Sequence, residues 1–256
     1  MSEKLRVTLV QTDLEWDNPL ANRRHLDYLL EDIVATDVIV LPELFTTAFC
    51  MESAAEEMMG ESMQWMRCVA KEKGAAVCGS LIIQENGQQF NRFIWTNPDG
   101  TIEQYDKRHL FSLMGEDSNF SAGSDRKIIT YKGWKICPQI CYDLRFPVYS
   151  RNNLGFDLLI YVANWPLRRI EAWDRLLPAR AIENQSYVVA VNRTGADGNA
   201  IAFNGHSAVY DAFGERLEFV GDEERVATIM LDKGWQDQIR EKLPFLQDGD
   251  GFTLSR

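Results

Sequence analysis

Short apolar runs rich in β-branched residues recur along this chain, and stretches with helical spacing separate them. That alternation constrains the fold most, because each run must bury its faces against a neighbouring layer; it favours one mixed α/β layered domain. Residues 6–11 (RVTLVQ), 37–41 (DVIVL) and 75–84 (AAVCGSLIIQ) read as strands, with helices over 19–34 and 61–73 between them. Strands over 89–96 and 101–107 flank Asn97-Pro98-Asp99-Gly100, which is turn chemistry for an antiparallel hairpin.

The second half repeats the rhythm. Strands are expected at 127–131, 134–140, 157–163, 186–192, 207–210, 216–220 and 226–231. A short helix is expected over 148–154, and a longer one over 171–184 with Ala172, Leu176, Ala179 and Ile182 on one face. No Pro/Gly/Ser-rich linker divides the chain, so residues 1–256 read as a single domain. From about residue 242 the tail is irregular, yet its Phe245, Leu246 and Phe252 would prefer burial on the core or on a partner subunit.

Composition narrows the function. With 27 Lys+Arg against 38 Asp+Glu, the net charge of −11 argues against nucleic-acid binding, which needs a basic footprint. Seven Trp and thirteen Phe argue against disorder. No run reaches membrane-spanning length and the first ten residues lack an export signal, so a cytoplasmic protein without membrane contact is expected. Five cysteines, an odd number, fit free thiols in a reducing compartment better than a disulfide framework.

Metal and phosphate chemistry find little support. The three histidines lack zinc-site spacing, Cys137 and Cys141 have no second pair, and no Gly-rich phosphate loop occurs. Gly205-His206-Ser207 begins like a serine elbow but Val209 stands where the second glycine belongs, so Ser207 reads as structural. No metal and no organic cofactor is expected.

Three apolar strands end in one reactive residue each: VIVLPE at Glu43, TIEQYDK at Lys107 and WKICPQIC at Cys141. The carboxyl ends of strands form the ligand crevice of α/β sheets, so the three could converge. A thiol, a carboxylate and an ammonium suit acyl transfer, as nucleophile, base and oxyanion partner. Each residue also has a plainer reading: a Cys after an apolar strand is commonly an inert buried thiol, and Lys107 alone could be a solvated strand end. Cys50, Cys68, Cys78 and Cys137 are assigned to inert burial. Cys141 differs because Tyr142-Asp143-Leu144-Arg145 makes a polar turn entering a helix, where free backbone N–H groups are at hand.

Together these segments resemble the nitrilase superfamily of carbon–nitrogen hydrolases. LPELF (41–45), YDKRHLF (105–111) and ICYDLRFP (140–147) carry the likeness, and GEDSNFSAG (115–123), ARAIENQSYVVAVNRTG (179–195) and GHSAVYDAFGE (205–215) extend it in order. The wording looks most like the omega-amidase branch, which removes the terminal amide of 2-oxoglutaramate and related acids. The resemblance implies a four-layer α-β-β-α sandwich that pairs as a homodimer. It implies Cys141 as nucleophile, Glu43 as general base and Lys107, with the backbone N–H of Tyr142, as oxyanion holder. It places Glu116 as a second glutamate near the lysine, whose plainer reading is an exposed loop acid. Asn164 falls on a pocket-lining position, although a cap on the following turn would explain it too.

The expected partner is a small amide carrying a carboxylate at its far end, so a cation is needed near the pocket. Arg168 and Arg169 are candidates, with Trp165 as an apolar wall; Arg145 reads as a structural ion-pair partner. An N-carbamoyl amino acid hydrolase, a nitrile hydrolase and a non-catalytic interaction subunit remain the alternatives.

Overall fold

The computed structural model describes residues 4–254. In the first half β1 (Lys4–Gln11), α1 (Pro19–Leu30), β2 (Val38–Val40), α2 (Glu61–Lys73) and β3 (Ala76–Glu85) alternate, and β4 (Gln88–Thr96) and β5 (Ile102–Asp106) follow as hairpin strands. Then come α3 (Glu116–Asn119), β6 (Ile129–Tyr131), β7 (Trp134–Ile140), β8 (Leu158–Ala163), α4 (Ile170–Asn184) and β9 (Tyr187–Asn192). A small pair, β10 (Thr194–Ala196) and β11 (Ala202–Asn204), precedes β12 (Ala208–Tyr210), β13 (Arg216–Phe219), β14 (Arg225–Asp232) and α5 (Lys233–Lys242).

Two six-stranded sheets result, ordered β14-β1-β2-β3-β4-β5 and β6-β7-β8-β9-β12-β13. They share one plan: three parallel strands in the middle, one antiparallel strand before them and two after. Parallel strands need both faces covered, and β2 and β8 are buried along their whole length. Between the sheets, Leu5, Val7 and Val40 pack with Ile140, Ile160 and Val189. Outside the first sheet, Leu26 of α1 and Met63 and Met66 of α2 cover Ile39 and Val77. Outside the second, Trp173 and Leu177 of α4 cover Leu159 and Val188. The layers are therefore α-β-β-α, as expected. Among the described residues no helix is long and apolar enough to cross a membrane.

Several local expectations fail for visible reasons. Residues 148–154 form turns rather than a helix. Asn152 Nδ2 donates to the Phe156 carbonyl and its Oδ1 accepts the Phe156 N–H, while the Asn152 N–H donates to Asn184 Oδ1, so side-chain bonds, one of them to a distant residue, replace the helical ladder. The core face of α4 is rotated: Trp173, Leu177 and Ala181 are buried, and Ile182 is 54% exposed. The large Trp173 ring sets that rotation, its Nε1 donating to the His206 carbonyl at 2.9 Å. Helix α5 lies where no helix is expected from the sequence, and Asp232 caps it by accepting the Trp235 N–H. In the tail Phe252 lies over the Arg126 guanidinium, but Phe245 is exposed rather than buried.

Candidate active site

Glu43, Lys107, Cys141 and Asn164 each stand just beyond the carboxyl end of a strand: β2, β5, β7 and β8 respectively. Because β2 belongs to one sheet and β7 and β8 to the other, the sandwich brings groups from both sheets together at one end. Lys107 Nζ lies 2.8 Å from Glu43 Oε1 and 2.9 and 2.8 Å from the two oxygens of Glu116, with all three side chains fully buried. Glu116 is thus no exposed loop acid. It opens the single-turn α3, and its Oε2 also accepts the Phe111 N–H at 2.6 Å.

The second oxygen of Glu43 accepts the Asn164 N–H at 2.8 Å, while Asn164 Nδ2 donates to the Glu43 carbonyl at 2.6 Å. Asn164 therefore locks the Glu43 turn to the end of β8, which goes beyond the turn cap that the sequence also allowed. Asn91, missed by the reading of the sequence, sits on β4 and donates to both glutamates. Its only sequence signal is a polar side chain within a strand.

Cys141 opens a one-turn helix with φ of 44°, a left-handed conformation that costs a non-glycine residue about 1–3 kcal/mol. Asp143 holds the turn: its Oδ2 accepts the Ile140 N–H at 3.0 Å and the Tyr105 hydroxyl at 2.7 Å, and its Oδ1 accepts His109 Nδ1 at 2.7 Å. The same carboxylate thereby joins the strand bearing Cys141 to the segment bearing Lys107. As second residue of the turn, Tyr142 has a backbone N–H with no intrahelical acceptor.

Charge follows geometry. Burial, then the carboxylate of Glu43, push the Cys141 thiol well above its ordinary value, and Lys107 pulls it back only in part. Burial alone would discharge Lys107, but Glu116 and then Glu43 more than offset it and hold the ammonium firmly protonated. Glu116 is raised, chiefly by burial and against the pull of Lys107.

A cleft of about 500 Å³, counting its open mouth, is lined by Lys107, Cys141, Tyr142 and Asn164 at its base. Phe49, Phe111, Trp165 and Phe203 give it aromatic walls. Arg145 and Arg169 line it as well, which corrects the expectation for Arg145. No carboxylate pairs with Arg145 among the described residues; its guanidinium carbon lies 4.8 Å from the Trp165 ring centroid. Arg169 stands equally far over Phe111. Burial, then the neighbouring Arg168 and Arg145 charges, lower the affinity of Arg169 for its proton, as expected of cations short of a counter-ion. Arg168 itself is exposed. Asp197 on the wall is turned to its own hairpin, Oδ1 accepting the Asn199 and Ile201 N–H groups at 2.9 Å each.

Ser207 is buried, its Oγ accepting from Asn192 N–H and donating to the Asn192 carbonyl, in keeping with a structural role. All five cysteines are free. Cys50, Cys78 and Cys137 are buried, but Cys68 is exposed, contrary to expectation, because α2 buries Met63, Met66 and Ala70 on its other face.

The chain belongs to the carbon–nitrogen hydrolase family, whose sequence profile matches residues 6–240. It is accordingly a hydrolase of C–N bonds. At 44% identity over 254 residues, covering 98% of each chain, it is similar to Omega-amidase YafV of Yersinia enterocolitica. It is 34% identical over 253 residues to the 2-oxoglutaramate amidase of Bacillus subtilis, covering 96% of this chain and 97% of that one. Its fold superimposes with a TM-score of 0.97 on a CN-hydrolase superfamily protein of Xanthomonas campestris, solved with an arsenic adduct in its active site, at 42% identity over the whole of both chains.

Proposed function

We propose that this enzyme is an omega-amidase, hydrolysing the terminal amide of short dicarboxylic acid monoamides of the 2-oxoglutaramate and succinamate type. The observation that carries the reading is the cleft itself: the Cys141 elbow beside the buried Glu43–Lys107 pair, with two guanidiniums lacking counter-ions on the wall. One end of the cleft offers acyl-transfer groups and the wall offers a seat for a carboxylate. The omega-amidase and 2-oxoglutaramate amidase relatives point to the same substrates.

The thiol is neutral at rest, so it cannot attack unaided. Glu43 takes the proton from Cys141 Sγ as sulfur bonds to the amide carbon, and the carbonyl electron pair moves onto oxygen. Lys107 Nζ and the Tyr142 N–H hold that oxyanion, where charge develops only in the transition state. As the oxyanion collapses, the C–N bond breaks, Glu43 returns the proton to nitrogen, and ammonia leaves a thioester behind. Water then gives a proton to Glu43 and its oxygen to the acyl carbon; the C–S bond breaks, sulfur regains the proton, and the acid departs. Glu116 keeps Lys107 charged and in place throughout.

Arg145 and Arg169 bind the distal carboxylate, with Asn164 and Trp165 forming the wall along the substrate chain. A charge-assisted contact of this kind contributes about 1.5–3 kcal/mol. Replacing Arg145 by Met should therefore raise KM for succinamate about 10–100-fold while leaving a neutral amide such as butyramide nearly unaffected; equal losses on both would refute the assignment. Cys141→Ala should abolish ammonia release with the fold intact. Glu43→Gln should slow thioester formation about 10²–10⁴-fold, and near-normal turnover would remove it as the base.

The protein acts as a homodimer in the cytoplasm. Five free thiols suit a reducing compartment. Ile182 on α4 and the neighbouring Phe213 expose apolar surface on the outer helical layer, where a second copy would extend the sandwich.

A further inference from the structure

Glu43 and Glu116 share a single ammonium, so the buried cluster sets two carboxylates against one fixed positive charge. In a dry interior that arrangement is unfavourable unless further donors spread the excess. Asn91 on β4 is fully buried, and its Nδ2 donates to Glu43 Oε1 and to Glu116 Oε1, each at 2.9 Å. Both partners only accept, so the amide is oriented without ambiguity; turned over, Oδ1 would face two carboxylates. The main chain ties the same residue to Lys107, whose N–H donates to the Asn91 carbonyl at 3.0 Å. Asn91 Oδ1 is buried with no partner among the described residues, so the side chain forgoes a bond of its own while presenting both hydrogens to the glutamates.

We propose that Asn91 is a positioning residue for amide hydrolysis: its side-chain amide holds Glu43 and Glu116 at the separation at which one Lys107 serves both. The inference rests on Glu43 being the base. Neither glutamate can approach Lys107 more closely without losing Asn91, and neither can drift away without stranding a buried charge. The other groups facing this cluster are Cys141 from the end of β7, the Asn164 N–H from the end of β8, the Phe111 N–H, and the Phe49 ring, whose centroid lies 5.7 Å from Lys107 Nζ. Glu116 records the balance. Burial raises its carboxyl, Lys107 lowers it, the Glu43 charge raises it, and the Asn91 bond is among the contributions that lower it. Removing that bond leaves the carboxyl to take its proton at higher pH.

Asn91→Leu keeps the branched shape, with a somewhat larger volume, and removes both donors, and Asn91→Ser keeps one. Compared with the parent on succinamate, Asn91→Leu should lose about 10–100-fold in kcat and Asn91→Ser less, with KM changed by less than about threefold. The acid limb of kcat/KM should move to higher pH in both. Iodoacetamide alkylation of Cys141, followed in a Cys68→Ser background, should lose rate on the acid side at the same higher pH. A fall in kcat with an unmoved pH profile would show a packing role and overturn the proposal, as would an unchanged kcat. Should the leucine variant fail to fold, the pH profile of Asn91→Ser decides alone. A wrong base assignment would show itself separately, as normal turnover by Glu43→Gln with Asn91 intact.

Discussion

The Cys141 thiol is set against ionisation by burial and by Glu43, so its reactivity must come from a proton acceptor rather than from a standing thiolate. In the proposed mechanism Glu43 takes the proton and Lys107 holds the oxyanion, and the structure sets the two side by side. The raised Glu116 carboxyl gives a pH prediction with a definite sign. Falling pH protonates Glu116 before an ordinary carboxylate and frees Lys107 from one of its two anchors. The acid limb of kcat/KM should therefore lie above the ordinary carboxylate range, near 4–4.5, and a limb at or below that range would contradict the arrangement. Reactivity should also sort the five thiols. Iodoacetamide should reach Cys68 and Cys141 in the native protein and spare the buried Cys50, Cys78 and Cys137, the last pushed up to about 12 by burial; peptide mapping checks this. At this scale Glu43 and Cys141 were legible because each interrupts the end of an apolar strand, whereas Lys107 follows a mainly polar strand and stood out only through the family likeness of its segment. Asn91 and Arg145 were not: the acceptors of Asn91 lie 48 and 25 residues away, and Arg145 gains its setting only when Trp165 folds against it.

Among the elements, strand ends do the positioning, and one glycine shows how tightly. Gly79 on β3 lies against the Glu43 turn, where an added Cβ would come 2.9 Å from the Phe45 ring and 3.0 Å from Leu41 Cβ. Both neighbours are fully buried, so neither can yield cheaply. Gly79→Ala should cost about 1–3 kcal/mol of stability and reduce kcat by shifting Glu43. Thermal unfolding and turnover measured together check this, and a variant as stable and active as the parent would contradict it. Strand positions were readable because the central strands are continuous apolar runs. The elements the sequence hid are those ruled by distant partners. The turns over 147–154 depend on Asn184, and the rotation of α4 on the His206 carbonyl. The β10–β11 pair, which supplies Phe203 to the cleft, is anchored by the buried Arg193 on Asp13 and the Leu14 carbonyl, about 180 residues earlier in the chain.

For the whole molecule, two sheets of identical plan stack face to face, and the site needs both. The first sheet supplies Glu43, Lys107 and Asn91, and the second supplies Cys141 and Asn164. Catalysis should therefore be lost with the global fold rather than with any local unfolding. The net charge of −11 repels an anionic substrate at long range, so the proposed selectivity for one would rest on the two arginines lining the cleft, Arg145 and Arg169. If the outer α4 face joins two copies, sedimentation should give twice the chain mass of 29.4 kDa, and Ile182→Arg should shift the protein toward monomer; a monomeric parent would exclude that pairing. The proposed chemistry turns on the thioester at Cys141. Acid quench of the Cys68→Ser protein during turnover of succinamate, followed by mass spectrometry, reads it directly. A thioester mechanism gives a succinyl mass on the peptide bearing Cys141 together with ammonia release, whereas ammonia release with that peptide unmodified and Cys141→Ala still active would rule it out.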